Sequence, residues 1–128
     1  MTTIFPVLYL PIEEKAREFD SKLLIAAAAA ERGLSVVIGQ VWRMHHNLKH
    51  MPPGIVLFKG VKRVQAINMS HAARHGYLIA AMDEEAMGLS DSRFLMRDVH
   101  PKMPEMCDAL RAQGPFQASV MIEQTGMD

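Results

Sequence analysis

Short apolar runs alternate with longer, more polar stretches over the first two thirds of the chain. Four of these runs are rich in Val, Ile and Leu and show no clean alternation with polar residues: Phe5 to Leu10, Ser35 to Ile38, Ile55 to Phe58 and Tyr77 to Met82. This pattern is typical of strands that are buried on both faces, as in a parallel sheet. It therefore predicts four β-strands.

Three helical stretches separate these runs, and breaker residues mark their ends. We expect helices over residues 16–32, 41–50 and 62–75. Gly33 and Gly76 follow the first and third as C-terminal glycines, and Pro52-Pro53-Gly54 ends the second. Strand and helix thus alternate as a βαβ series. Right-handed crossovers would make it an α/β fold, a Rossmann-like three-layer sandwich with a mostly parallel sheet of four or five strands.

The pattern weakens after Met82. Residues 83–98 read as a loop with one short turn, and Pro104 to Gln113 predicts a helix. Gly114-Pro115 interrupts that helix. Phe116 to Gln124 fits either a helix or a strand that leads into a helix, and the sequence leaves both readings open.

Composition bounds the class of protein without naming a function. A chain of 128 residues predicts a single domain, residues 1–128. The 14 Lys and Arg residues balance 14 Asp and Glu residues, so no nucleic-acid partner is expected. The longest apolar run, Leu23 to Ala30, is shorter than the roughly 20 residues of a membrane span. One cysteine and no secretory leader indicate a cytoplasmic location.

The exits of the predicted strands are the candidate site. Six charged residues fall within the eight positions from Glu13 to Asp20, directly after the first strand. In an open α/β sheet, ligands bind outside the carboxyl ends of the strands, so charges at 11–15, 59–60 and 83–85 would meet at one edge. The alternative for Glu13, Glu14 and Glu18 is stabilisation of a helix N-terminus. For Glu18 and Asp20 we favour structural ion pairs with nearby Lys or Arg residues.

Motifs for phosphate loops, zinc proteases and serine hydrolases do not occur. GxGxxG, GxxxxGK[ST], HExxH and GxSxG are all missing, so we expect no cofactor and no metal. His46 with His50, and His71 with His75, have i, i+4 spacing, and solvated helix histidines are the favoured reading. Cys107 falls within the predicted helix as a half-buried residue without a catalytic role.

A family resemblance rests on segments in order along nearly the whole chain. The first is the most specific: Leu10-Pro11-Ile12-Glu13, Lys15, Arg17-Glu18-Phe19-Asp20, Leu23-Leu24 and Ala29-Ala30-Glu31-Arg32-Gly33. Later segments are Val37-Ile38-Gly39, Pro52-Pro53-Gly54-Ile55 with Lys59, His75-Gly76 through Asp83-Glu84-Glu85, and Gln113-Gly114 through Gln117. Together they resemble the amino-terminal part of bacterial surface carbohydrate biosynthesis proteins, the glycosyltransferases of capsule and O-antigen loci.

The resemblance implies half of a two-domain GT-B glycosyltransferase. In that family the amino-terminal domain holds the carbohydrate acceptor, and a second domain, which this chain does not cover, holds the nucleotide sugar. Carried over by position, the catalytic residues are Glu13 and Glu85, either of which would act as general base. The substrate-binding residues are Lys15, Lys59, Asp83 and Glu84. We expect the carboxylates of Glu13 and Glu85 to share one cleft.

Two departures from the family pattern affect the acceptor edge. Gln113 stands where the family has an aromatic residue, and Ala86-Met87 replaces a step that usually contains glycine. The alternatives are a stand-alone Rossmann-like or flavodoxin-like ligand-binding or regulatory domain without catalysis, and an inactive remnant of a larger gene. Peripheral membrane association and a homodimer remain open at this point.

Overall fold

The computed structural model describes residues 6–60, 63–82, 103–112 and 114–125. The strands within these ranges are β1 (Val7–Ile12), β2 (Ser35–Gln40), β3 (Ile55–Phe58), β4 (Leu78–Met82) and β5 (Ala109–Arg111). The helices are α1 (Lys15–Glu31), α2 (Val41–Asn47), α3 (Arg63–Arg74), α4 (Met103–Met106) and α5 (Pro115–Thr125), and a 3₁₀ turn spans Leu48–His50. The described part of the chain contains no helix long and apolar enough to cross a membrane.

The five strands form one sheet in the order β2-β1-β3-β4-β5. Every neighbouring pair is parallel, from Leu8 opposite Val36 at one side to Ala81 opposite Leu110 at the other. The predicted α/β, Rossmann-like class is therefore confirmed. This order is the flavodoxin-like variant of a doubly wound sheet, in which the direction of winding reverses between β1 and β3.

Side chains of β1 alternate between two hydrophobic clusters, one on each face of the sheet. Tyr9 belongs to the larger cluster, which also contains Phe58 of β3 and residues of α2 and α3. Leu8 and Leu10 belong to the smaller cluster, beneath α1. Successive strand residues point to opposite faces, so this alternation places helices on both sides of the sheet. Because helices cover both faces of the sheet, the strand sequences do not alternate between apolar and polar residues.

Both predicted glycine stops are confirmed as Schellman motifs. Gly33 has φ +87° and donates its N–H to Ala30 O, while Leu34 N–H donates to Ala29 O. Gly76, with φ +86°, ends α3 in the same way, with Tyr77 N–H bonded to Ala72 O. A positive φ is strained for residues with a Cβ, which explains why glycine marks both ends.

The predicted helix from Pro104 to Gln113 is wrong. Helix α4 ends at Met106, and the chain then pairs with β4 as strand β5, with Ala109 opposite Ala80. Asp108 fixes this start, because its backbone N–H donates to Ile79 O and its Oδ2 accepts from Ile79 N–H at 2.7 Å. Backbone pairing with the edge of β4 thus outweighs local helical preference. Of the two readings of Phe116 to Gln124, the helix is correct.

A candidate ligand site at the carboxyl edge of the sheet

The structure brings together two of the predicted site residues, Glu13 and Lys59. Glu13 follows β1 and Lys59 follows β3, and these strands are neighbours in the sheet. Glu13 Oε2 and Lys59 Nζ form an ion pair across the two exits. The pair lies where the winding direction of the sheet reverses. Doubly wound sheets open a ligand-binding crevice at that point.

A cavity of about 330 Å³ adjoins this ion pair. The strand exits contribute Pro11, Glu13, Phe58 and Lys59 to its wall. Helices contribute the remainder: Glu18 from α1, Val41, Trp42 and His45 from α2, and Gln65 and Asn68 from α3. The volume is at the lower end of the range for small-molecule sites. A mostly apolar wall with a few polar groups is the usual character of such a site.

Glu18 is the first buried polar residue of the wall. It has an exposed fraction of 5% although it belongs to the first turns of α1. Its Oε2 accepts a hydrogen bond of 2.6 Å from Glu14 N–H, which caps the helix in place of a side chain at Glu14. Its Oε1 is buried and has no hydrogen-bond partner among the described residues. The ion pair that we favoured for Glu18 stays a prediction.

His45 is the second buried polar residue, with an exposed fraction of 4%. Its ring stacks on that of Phe58, with 5.2 Å between the centroids and 20° between the planes. Neither ring nitrogen has a hydrogen-bond partner among the described residues. Burial, with a smaller contribution from the charge of His71, lowers the pKa of His45 to about 4. His45 is therefore a neutral imidazole near pH 7, with one N–H donor and one nitrogen acceptor.

The ion pair controls the ionisation of Glu13. Its hydrogen bond to Lys59, and then the charge of Lys59, lower the pKa of the Glu13 carboxyl. Glu13 is thus ionised near pH 7 and is a weak proton acceptor, since an efficient general base has a pKa close to the working pH. Its role as general base stays a prediction. The geometry itself supports a role in holding Lys59 at the rim of the cavity.

Trp42 is an exposed aromatic residue at the cavity, with an exposed fraction of 66%. It is the sole tryptophan of the chain. Helix α2 begins at Val41, directly after β2, and Arg43 N–H donates to Gln40 Oε1 to cap it at 2.9 Å. Residues three apart share one helix face, so this start directs Trp42 and His45 toward the same cavity.

The remaining predicted residues do not join this cavity in the described part of the chain. Lys15 is exposed on the first turn of α1, with its Nζ 5.5 Å from the centroid of the Phe19 ring. Asp83, Glu84 and Glu85 lie outside the described residues, as do the predicted loop 83–98 and Gln113. The shared cleft of Glu13 and Glu85 therefore stays a prediction.

Sequence reasoning missed the residues on the helices that face the cavity, above all His45, Trp42, Gln65 and Asn68. His45 stands next to His46, which we interpreted as solvated, but His45 itself was given no role. The one available signal was the spacing of Trp42 and His45 behind the exit of β2. That signal has meaning only once β2 is known to flank β1.

The other nucleophile and metal candidates within the described residues do not line the cavity. Cys107 is buried between α4 and β5, outside any helix, and burial is the main cause that raises the pKa of its thiol. His71 lies in the last turn of α3 and His75 directly follows the helix, with 4.7 Å between their ring centroids. Across the described ranges, no group of three or more His, Cys, Asp or Glu side chains is arranged to hold a metal ion.

No protein-family model matches the chain, and no curated protein matches it either.

Proposed function

We propose that this chain is the acceptor-side domain of a surface-polysaccharide glycosyltransferase, and that it binds a carbohydrate acceptor in the cavity between β1 and β3. The observation that carries the proposal is the position of that cavity at the reversal of the sheet, with an ion pair and an exposed tryptophan at its border. The sequence resemblance supports the same reading. A nucleotide sugar would be held by a second domain, in the same polypeptide or in another.

The composition of the cavity suits a sugar better than a nucleotide. The flat, exposed ring of Trp42 offers an apolar surface to the face of a sugar ring, and burying both faces removes apolar area from water. Phosphate groups are commonly held at glycine-rich turns before a helix. The exit of β1 instead carries Glu13 and Glu14, and their negative charges repel a phosphate.

Fluorescence of the single tryptophan gives a direct test. Methyl glycosides of common hexoses should change the emission of Trp42 in a saturable way, and the variant Leu24→Ala, exposed on α1, should behave like wild type. Nucleotide sugars should bind no more tightly than the matching glycosides. Tight binding of a nucleotide sugar to this chain alone would contradict the proposal, because the donor would then have its site in this domain.

A second candidate is a stand-alone flavodoxin-like domain that binds a small anion without catalysis. The strand order β2-β1-β3-β4-β5 favours it, because that order is shared by binding and regulatory domains of this type. Its ligand would contact Lys59 in competition with Glu13. Saturable binding of inorganic phosphate, strengthened by Glu13→Gln and independent of glycosides, would support this candidate instead.

A further inference from the structure

We propose that the inner wall of the cavity is a subsite for an uncharged polyhydroxyl group, whose hydroxyls hydrogen-bond to His45 and Glu18. This inference deepens the proposed function and rests on it, since it names the chemistry that recognises the acceptor. His45 and Glu18 are not among the residues predicted from the sequence as substrate-binding.

Among the described residues, buried polar atoms without hydrogen-bond partners come together in the wall of the cavity. Glu18 comes from α1 and His45 from α2, and both residues are more than nine-tenths buried in the wall of one cavity. Glu18 Oε1 and both ring nitrogens of His45 lack hydrogen-bond partners among the described residues. Buried polar groups in folded proteins are almost always hydrogen-bonded, so three such atoms in the wall of one cavity point to partners that the described residues do not supply, and we assign these partners to a ligand.

The hydrogen-bonding chemistry of these three atoms determines which partner they can bind. An ionised carboxylate oxygen accepts only, whereas a neutral imidazole donates at one nitrogen and accepts at the other. A hydroxyl group both donates and accepts, so neighbouring hydroxyls of one ligand satisfy all three atoms. An anion would meet the carboxylate of Glu13, which Lys59 holds ionised in the same wall. A cation would meet Lys59 in the same wall.

A side chain must move before a ligand can reach these atoms. All three are shielded in the present conformation, and the imidazole is held by its stacking on Phe58. A rotation of 180° about the Cβ–Cγ bond returns the ring to the same plane and exchanges its two edges, so a ring nitrogen can change sides while the ring stays stacked on Phe58. We therefore expect ligand binding to reorient His45 and to leave Phe58 in place.

The decisive measurement follows the imidazole nitrogens of His45 by long-range ¹H–¹⁵N NMR, with the methyl glycosides and sorbitol as probes. Saturable shifts of the His45 nitrogens, at the concentrations that change Trp42 emission, are the expected result. His45→Phe should weaken glycoside binding roughly tenfold, the equivalent of one lost hydrogen bond, and Glu18→Gln should weaken it less, because a ligand hydroxyl can still accept from the amide. His46→Phe, at an exposed position of α2, is the matched control and should leave binding unchanged.

The stability of His45→Phe gives a second readout. The variant should be more stable than wild type if His45 serves a ligand, and less stable if His45 has a purely structural role. His45→Phe should unfold at a higher denaturant concentration than wild type, because it removes buried polar atoms that have no partners in the described structure. A lower midpoint would mean that the imidazole has a structural partner, and would overturn the inference.

The outcomes separate this inference from the proposed function. Saturable glycoside binding seen by Trp42, with no response of the His45 nitrogens and no effect of His45→Phe, overturns the inference and leaves the proposed function standing. No response of Trp42 to any glycoside overturns both. A His45 response to inorganic phosphate but not to glycosides overturns the inference and favours the anion-binding candidate.

Discussion

Acidification should destabilise the protein through His45 well before the carboxylates titrate. Burial lowers the pKa of His45 in the folded protein to about 4, against an ordinary value of 6.5. The unfolded chain therefore takes up the proton first as the pH falls. The contribution to stability is fully present above pH 6.5 and is lost progressively toward pH 4. Glu13, whose pKa is lowered from 4.5, begins to add its own loss only below pH 4.5.

The size of the effect follows from the two pKa values. At pH 5 the imidazole is protonated in the unfolded chain, whose pKa of 6.5 lies roughly 1.5 units above the pH, but stays mostly neutral in the folded protein. At 1.36 kcal/mol per unit, this difference lowers the free energy of unfolding by about 2 kcal/mol. That is a large share of the 5–15 kcal/mol, roughly, that stabilises a domain of ordinary size. The fall between pH 7.5 and pH 5 should therefore be easy to measure.

Urea unfolding of wild type and His45→Phe at intervals from pH 7.5 to pH 5 isolates this term. The difference in unfolding free energy between the two proteins should change by about 2 kcal/mol over that range, because the other titrating groups are common to both. His71 on α3, Glu18 on α1 and the Glu13–Lys59 pair face the same region and are retained in both proteins. His46→Gln serves as the control for substitution on α2.

A difference that stays constant within about 0.5 kcal/mol across that range would refute the reasoning. It would mean that the charged imidazole is as well solvated in the folded protein as in the unfolded chain. The picture of His45 as a buried neutral group would then be wrong, and with it the subsite chemistry built on that picture.

Three further experiments test other parts of the structure. Gly54→Ala should lower the free energy of unfolding in urea by about 3 kcal/mol, because a Cβ there would lie 2.2 Å from Val7 O. The control Gly60→Ala should cost little, because a Cβ there would have nothing within 4 Å. Equal costs would refute the close approach at Gly54. Tyr77→Phe should cost about 1 kcal/mol, because its hydroxyl lies 2.6 Å from Leu48 O and anchors the turn before β3; an unchanged midpoint would contradict that anchor. Glu18→Ala should lose about 1 kcal/mol through the missing cap at Glu14 N–H, and Glu18→Gln should retain it; similar losses in the two variants would show that the cap contributes nothing.

Elements with local causes were predictable from the sequence. Strand β3, Ile55–Phe58, was predicted to the residue, because breakers flank it and its residues suit burial on both faces. The ends of α1 and α3 were predictable because a Schellman motif requires a residue with positive φ, and Gly33 and Gly76 supply it. Such signals depend only on nearby residues.

Elements with distant causes were not predictable in the same way. Strand β5 exists because Asp108 and Ala109 pair with β4, about thirty positions earlier in the chain. Nothing in the local pattern near Cys107 indicates such a partner.

The residues of the site divide in the same way between local and distant causes. Glu13 and Lys59 follow strands and were found, whereas His45 and Trp42 belong to a helix whose position depends on the order of the strands.

The ionisation of the site constrains which group can take a proton from an acceptor hydroxyl. Glu13 is held ionised by Lys59, and the resulting low pKa makes it a weak base. Neutral His45 can accept a hydrogen bond, but its own low pKa disfavours full proton transfer. Both described residues are therefore better suited to binding than to chemistry. Glu85, which lies outside the described residues, keeps its predicted role as general base. In a complete glycosyltransferase, Glu85→Gln should then lower kcat far more than Glu13→Gln, and the reverse order would return the catalytic role to the β1 exit.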